Sequence, residues 1–266
     1  MTKPITIQSF WRGRPLSNVE ILCVKSFLAH GHDFCLWAYD EVKNLPAGAR
    51  VADAREVLPE AHFFVNQNEG FGKGSPSPFS DLFRMALLAR YGGWWTDMDV
   101  ICLRPWDIPQ ELVIASSDEN QWGRIPNANV LRSPAGHAFP TGAMELLQNR
   151  DPAKTGHVDG PHTVQRMVRE HHLEDSVVPH WWFNPIQWRY TKYLIRPEEF
   201  MLHPRRLKRT FGITERLGRV HPDSYAVHLW GEMWTANGFD RNASYHPDSL
   251  FESLKRRHGV VNKRSF

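Results

Sequence analysis

The stretch from residue 80 to residue 105 combines a helical apolar pattern, a glycine pair and two aspartates before an apolar segment. Its apolar residues recur three and four positions apart, which is typical of a helix that is buried on most sides. Gly92 and Gly93 end this helix, because glycine readily adopts the left-handed conformation common at helix C-termini. The residues after them read as a strand. The stretch therefore predicts a buried helix followed by a strand of a sheet.

Two aspartates, Asp97 and Asp99, lie one residue apart in that predicted strand. Alternate residues of a strand point to the same side, so both carboxylates are expected to project together while Met98 packs on the other side. Neighbouring carboxylates repel each other unless a cation lies between them. Carboxylate oxygens suit Mg²⁺ or Mn²⁺, so the pair is a candidate metal site.

Asp81 and Arg84 are three residues apart and share one face of the predicted helix. An arginine in this position can form a charge-assisted fork to phosphate or sugar oxygens, and Asp81 can accept hydrogen bonds from sugar hydroxyls. With the two aspartates they could hold a metal diphosphate. The alternative is a surface ion pair beside aspartates at a solvated strand end.

The length of 266 residues, with 41% hydrophobic and 23% charged residues, fits one large α/β domain. A net charge of only +3 gives no case for nucleic-acid binding. Basic residues are concentrated at positions 205–209 and 255–257. Such runs indicate either a solvated surface or a peripheral membrane contact.

The three cysteines, Cys23, Cys35 and Cys102, have no metal-binding spacing. An odd count among apolar neighbours favours free thiols in a reducing compartment. No apolar run is long enough for a membrane span, and the first residues lack a signal-peptide core. These observations predict a cytoplasmic protein.

Strands are expected at residues 5–11 and 33–39, with a helix over residues 19–29 between them. This order predicts a parallel sheet with crossover helices, and the missing glycine fingerprint excludes a dinucleotide site of the usual type. A short helix is predicted over residues 52–58. A last strand is predicted over residues 225–230, with its even-numbered residues on one face.

Several polar or aromatic residues lie where strands are expected to end. Trp11 could stack on a base or pack on the following loop, because open α/β sheets bind ligands beyond the carboxyl ends of their strands. Asn127 and Asn129 could bind sugar hydroxyls or form a turn. His228 is either structural or a ligand.

The segments SDLFR (residues 80–84) and YGGWWTDMDV (residues 91–100) closely resemble the SDxxR…YGGxYxDxD block of DXD-containing glycosyltransferases. That family includes mannosyltransferases, α-1,4-galactosyltransferases and capsular polysaccharide synthesis enzymes, and more distantly the clostridial glucosylating toxins. Residues 7–11, 36–40 and 228–230 resemble other family motifs more loosely. Trp94 and Trp95 stand where a smaller residue and a tyrosine are commoner.

The resemblance implies an α/β fold of the GT-A type, in a single domain of residues 1–266 around a mostly parallel sheet. Residues 1–115 would form the donor half and residues 116–266 the acceptor half. The implied reaction transfers a sugar from a nucleotide-sugar donor to a saccharide or glycan acceptor, with retention. A UDP-sugar is favoured over a GDP-sugar, and the cofactor is a divalent cation, Mn²⁺ or Mg²⁺.

By the same resemblance, each candidate site residue receives a role. The catalytic residues are Asp97, Asp99 and Arg84. The donor-binding residues are Trp11, Tyr39, Asp81, Arg84 and Asp97. The acceptor-side or sugar-side candidates are Asp118, Asn127, Asn129 and Asp159. The metal ligands are Asp97, Asp99 and His228. No catalytic base is assigned.

Two other functions fit the same residues. A metal-dependent phosphohydrolase would use Asp97 as nucleophile, although that class usually carries its aspartate pair after the first strand. A non-catalytic sugar-binding module would have kept the fold and lost the catalytic residues. The presence of Asp97, Asp99 and Arg84 argues against such a loss.

Overall fold

The computed structural model describes residues 4–118, 124–196 and 220–261. The strands are β1 Thr6–Trp11, β2 Asp33–Ala38, β3 Arg50–Asp53, β4 Gly93–Thr96, β5 Val100–Cys102, β6 Val113–Asp118, β7 Arg124–Ser133 and β8 Ala226–His228. The α-helices of these ranges are α1 Asn18–Ala29, α2 Ser77–Tyr91, α3 Ala138–Gln148, α4 Asp159–Glu170, α5 Gly231–Ala236 and α6 Leu250–Arg257. Short 3₁₀ helices span Ala54–Glu56, Glu60–His62, Glu174–Ser176, His180–Trp182 and Trp188–Leu194.

The central sheet has six strands in the order β3-β2-β1-β4-β7-β6. Strands β3, β2, β1 and β4 run parallel to one another, and β7 runs antiparallel to both β4 and β6. Strands β5 and β8 form a separate antiparallel pair, in which Val100 lies opposite His228. The predicted α/β fold with a mostly parallel central sheet is confirmed.

Alternation along the strands separates two apolar cores, one on each face of the central sheet. On β1, Ile7 belongs to the core that contains α1 and α6, whereas Phe10 belongs to the core that contains α2, α3 and α4. The sheet is covered by helices on both faces, which is why its strands are apolar on both sides. The carboxyl ends of β1 and β4 lie between these layers, and the candidate site forms there.

Local signals explain the two helices nearest the site. Ser17 caps α1 through a capping box with Glu20. Helix α2 ends at Gly92, which has a φ of 64°. A Cβ on Gly92 would lie 2.4 Å from the backbone nitrogen of Ala135, so only glycine fits this close approach.

The sequence-based prediction was wrong for three segments. Residues 52–58 do not form a helix, because residues 50–53 pair in register with β2 and a 3₁₀ turn follows. The last strand ends at His228. Trp230, with a left-handed φ of 58°, is the cap residue before α5 and does not continue the strand. Asp97, Met98 and Asp99 form a turn between β4 and β5 rather than a strand.

Two further observations concern surfaces. In the part of the chain that the structure describes, no helix is both long enough and apolar enough to cross a membrane. The basic run at residues 205–209 lies outside the described residues. In the second basic run Lys255 is buried and paired with Glu252 at 2.8 Å, because it lies on the face of α6 that packs against the core. Arg256 and Arg257 are exposed.

Candidate active site

The turn at residues 97–99 carries the chain from the central sheet to the small sheet. The amide of Asp97 donates to the carbonyl of Asn129 on β7 at 2.8 Å, and the amide of Val100 closes the turn on the carbonyl of Asp97 at 3.3 Å. Both carboxylates are partly buried, with side chains 28% and 17% exposed for Asp97 and Asp99. The expected convergence of the two carboxylates is therefore produced by a turn and not by strand alternation.

Arg84 organises the side of the site that belongs to α2. Its Nη2 lies 3.0 Å from Asp81 Oδ1 and 3.1 Å from Asp97 Oδ1, and its Nη1 donates to the carbonyl of Ala128 at 2.6 Å. The indole Nε1 of Trp95 also donates to Asp97 Oδ1, at 2.9 Å. Because Asp81 and Arg84 are both buried, the alternative of a surface ion pair does not hold. The guanidinium is held rigidly between two carboxylates.

Asp81 lies behind Arg84, against the first turn of α4. Burial raises the pKa of Asp81 to about 7; Arg84 opposes this rise, and Asp97 and Asp159 add to it. A Cβ on Gly160 would lie 2.1 Å from Asp81 Oδ2, so the backbone of α4 touches this carboxylate directly. Burial also raises the pKa of Asp97, against the attraction of Arg84.

Asp99 is held by a different part of the chain. Its Oδ1 lies 3.1 Å from His228 Nε2, and its Oδ2 accepts the amide of Gly231 at 2.5 Å, at the start of α5. Burial disfavours the charged carboxylate, but His228, the Gly231 amide and Arg241 together lower the pKa of Asp99 to about 2. Asp99 is therefore ionised at neutral pH.

Asp97, Asp99 and His228 each offer one ligand atom, and these atoms lie within 4.8 Å of one another. Across residues 4–118, 124–196 and 220–261 this is the one such group. Two carboxylates and an imidazole are a donor set that can hold a divalent cation. Oδ1 of Asp99 is buried and receives no well-aligned hydrogen bond, although His228 Nε2 is near. A cation between the three side chains would satisfy that oxygen, so the residues fit a divalent metal.

A cavity of about 720 Å³ opens in front of this group. Its walls come from the carboxyl ends of β1 and β4, from α5 and from the loop of residues 70–77. Cations in the wall include Arg12, Lys73 and Arg241. The loop is tied to the rest of the site by Ser75 Oγ, which donates to Glu232 Oε1 at 2.9 Å, and by Phe71, whose ring lies 4.7 Å from that of His157.

Residues 17–122 match the model of the glycosyltransferase sugar-binding region containing a DXD motif. These residues are similar to that sugar-binding region, and they make up fewer than half of the chain. A human protein, alpha-1,4-N-acetylglucosaminyltransferase, is 28% identical over 190 residues, which cover 67% of this chain and 49% of that protein. The chain thus spans about half the length of this curated relative.

Two solved structures are similar at 11% identity. The PaToxG glycosyltransferase has a TM-score of 0.45, over 96% of this chain and 87% of the other. The apo form of the glycosyltransferase GlyE of Streptococcus pneumoniae TIGR4 has a TM-score of 0.47, over 98% of this chain and 61% of the other.

The DXD aspartates and Arg84 line the cavity, and so does Trp11, the first candidate on the donor side. The indole Nε1 of Trp11 donates to the carbonyl of Arg14 at 2.8 Å, which fixes the ring at the rim. Tyr39 is buried instead, with its hydroxyl donating to the carbonyl of Leu58 at 2.9 Å, and it is not among the described residues that line the cavity.

The four acceptor-side candidates are dispersed, and none of them is among the described lining residues of the cavity. Asn127 and Asn129 lie within β7, and the side chain of Asn127 accepts the amide of Asn129 at 3.1 Å. They are strand residues, so the turn interpretation is wrong. Asp118 accepts from Gln187 Nε2 at 3.1 Å. Asp159 contacts Arg150 and accepts the amide of Gly156 at 2.7 Å.

Sequence reasoning missed Arg12, Glu232 and Arg241 as residues of the cavity wall. Arg12 could have been predicted from the sequence, because it directly follows the first strand and ligands bind beyond the carboxyl ends of such strands. Arg241 had no such signal: its guanidinium is placed by Glu20 Oε1 at 2.7 Å and by the carbonyl of Gly231 at 2.7 Å, which are contacts between distant parts of the chain.

Proposed function

We propose that the chain is a metal-dependent glycosyltransferase that moves a sugar from a nucleotide-sugar donor to a saccharide or glycan acceptor. The observation that carries this proposal is the convergence of His228 on Asp97 and Asp99, which line the cavity together with Arg84. A bare DXD motif is common by chance. A DXD pair joined by an imidazole and a buried arginine, facing a cavity large enough for a ligand, is far more specific.

Asp97, Asp99 and His228 would hold the metal, which neutralises the diphosphate and makes it a better leaving group. Arg84, at 3.1 Å from Asp97, adds a fixed positive charge beside the place where the diphosphate lies. Asp81 holds Arg84 from behind and is proposed to face the donor sugar after a small rotation. Trp11 and Tyr39 are proposed to border the nucleoside.

We propose a UDP-sugar as donor and a retained, α-linked product. The name of the human relative specifies N-acetylglucosamine and an α-1,4 linkage, so UDP-N-acetylglucosamine is the first donor to test. Asp118, Asn127, Asn129 and Asp159 stay predictions for the acceptor side. We propose one domain, in which the acceptor half also contributes His228 to the donor side.

A thermal-shift panel tests the donor and the metal together. UDP-N-acetylglucosamine, UDP-glucose, UDP-galactose and GDP-mannose are compared with and without Mn²⁺, since a ligand of the folded state raises the melting temperature with its occupancy. We expect one UDP-sugar to stabilise the protein in the presence of Mn²⁺ and much less in EDTA. Equal stabilisation in EDTA would contradict the metal dependence, and phosphate release from a simple monoester would instead support a phosphohydrolase.

A cytoplasmic location and a peripheral membrane contact are also proposed. Support for the contact is confined, in the described residues, to exposed Arg256 and Arg257, because Lys255 is buried. Sedimentation with vesicles that contain anionic lipid tests it, with Arg256→Ala/Arg257→Ala as the comparison. Equal sedimentation of the wild type and the double variant would contradict a membrane contact through these two arginines.

A further inference from the structure

Behind the proposed metal site lies a chain of three buried polar side chains, Asn129, Asn184 and His228. Asn184 follows the 3₁₀ helix His180–Trp182 and is 1% exposed. Its Oδ1 lies 3.1 Å from Nδ1 of His228, on the side of the ring opposite Asp99. A buried amide needs hydrogen-bond partners for both its oxygen and its nitrogen. The neighbours of Asn184 therefore determine which of its two atoms is the donor and which is the acceptor.

The orientation of the Asn184 amide is determined by a backbone carbonyl. Nδ2 lies 2.9 Å from the carbonyl oxygen of Ser116, which can only accept, so the amide nitrogen must face it. Asn129 agrees with this assignment: the two amides exchange hydrogen bonds at 2.9 and 3.1 Å. Oδ1 therefore faces His228 and can only accept.

This orientation dictates which ring nitrogen of His228 carries the proton. Nδ1 must donate to Asn184 Oδ1, so in the neutral imidazole Nε2 has the free lone pair. We propose that Asn184 is a positioning residue that holds His228 in the Nδ1–H form, with Nε2 directed at the metal position between Asp97 and Asp99. The proposal rests on the metal dependence proposed above.

An asparagine meets a requirement here that similar side chains do not. One group must donate to the Ser116 carbonyl and accept from His228, and a primary amide does both. Aspartate cannot donate to the carbonyl, and leucine cannot accept from the ring, so each would leave a buried group unpaired. The ring plane is fixed as well, because the indole of Trp230 packs 4.1 Å from the imidazole and donates to the carbonyl of Ile186 at 2.7 Å.

The first test reads the tautomer itself and needs no metal. Two-bond ¹H–¹⁵N correlation spectra of the ¹⁵N-histidine-labelled protein in EDTA distinguish Nδ1–H from Nε2–H rings, and His228→Gln identifies the signal of His228. We expect Nδ1 to carry a proton in the wild type and in Asn184→Asp, whose carboxylate still accepts from Nδ1. An Nε2–H pattern in the wild type would overturn the proposal.

The second test measures Mn²⁺ affinity by calorimetry for the wild type, Asn184→Leu and Ser116→Ala. Ser116→Ala is the matched control: it loses a buried hydrogen bond, from Oγ to the carbonyl of Val178 at 2.6 Å, but keeps the backbone carbonyl that orients Asn184. We expect Asn184→Leu to bind Mn²⁺ about 10- to 100-fold more weakly, as for other partners of metal-binding histidines, and the control to change it about twofold or less.

The outcomes separate the two proposals. A wild type that binds no Mn²⁺ contradicts the metal dependence, whereas the tautomer measurement still decides the role of Asn184. Equal Mn²⁺ affinity in the wild type and a folded Asn184→Leu would overturn the positioning role alone. If Asn184→Leu does not fold, Asn184→Asp takes its place, and an Nε2–H ring in that variant contradicts the proposal.

Discussion

The two aspartates of the motif are held by opposite parts of the chain. Asp97 is bound by Arg84 and Trp95, which lie within the same short block of sequence. Asp99, two residues later, is bound by His228 and the amide of Gly231, which come from the far end of the chain. The turn at residues 97–99 is the point where the two parts meet.

Their environments differ accordingly. Burial raises the pKa of Asp97 even with Arg84 beside it, whereas His228, the Gly231 amide and Arg241 lower the pKa of Asp99 to about 2. The comparison teaches that residues 17–122, which match the family model, contain only two members of the proposed metal-binding group, Asp97 and Asp99. The third member, His228, comes into place when β8 pairs with β5.

Removing either carboxylate should have the largest effect. Asp97→Asn and Asp99→Asn keep the side-chain shape but remove the charge of a proposed metal ligand, so the transfer rate should fall by about three orders of magnitude, from a loss of about 4 kcal/mol. Steady-state kinetics with the best UDP-sugar measure this, with Asp240→Asn, whose carboxylate lies outside the cavity lining, as the matched change. Transfer at the wild-type rate in either variant would contradict the metal role.

Gly160→Ala should break the side of the site that is built on α2. A Cβ there would lie 2.1 Å from the buried carboxylate of Asp81, so the variant should lose about 3 kcal/mol of stability and much of its activity. Urea unfolding measures the loss. Gly142→Ala is the control: its Cβ would meet only the terminal methyl of Met167, a flexible group that can move away. Equal stability of both variants would show that the Asp81 side chain can move away from the added Cβ at little cost.

The pH dependence of stability should differ in sign between Asp81 and Asp99. Asp81 has a folded-state pKa of about 7 and an unfolded one of about 4, so the folded state holds the extra proton and stability falls as pH rises through this window. Asp99 is the reverse: its stabilisation is present above about pH 4 and is lost toward pH 2.

Asp81→Asn should therefore flatten the pH profile. Between pH 5 and pH 8 in EDTA, the unfolding free energy of the wild type should fall by about 2 kcal/mol more than that of the variant. Urea titrations at the two pH values measure the difference. Parallel profiles for the two proteins would mean that Asp81 is already ionised at pH 5.

Ser75→Ala should give the smallest effect, because it removes one hydrogen bond between the loop and α5, at 2.9 Å from Glu232. We expect a loss of about 1 kcal/mol, seen as a donor KM raised about fivefold with little change in kcat. Ser253→Ala, on the exposed side of α6, is the control. A fall in kcat with unchanged KM would instead place Ser75 in the chemical step.

Local patterns in the sequence predicted much of the scaffold. The helix that ends at Gly92 and the cap at Ser17 depend on interactions within a few residues, and both are confirmed. The first two strands are confirmed as well, because their apolar runs are visible in the local sequence although their pairing is not. The helix predicted over residues 52–58 was wrong because pairing with β2 outweighs local preference, as is usual for a strand formed by long-range contacts.

For the candidate site, the sequence by itself determined the chemical groups on one side: Asp81, Arg84, Asp97 and Asp99 occur in an order and spacing that predict a metal-diphosphate site. Only the tertiary structure decided that the aspartates converge through a turn, and that His228 and Arg241 reach them. The physical reason is distance along the chain. Helix and turn contacts join residues three or four apart, whereas the pairing of Val100 with His228 depends on the packing of the whole fold.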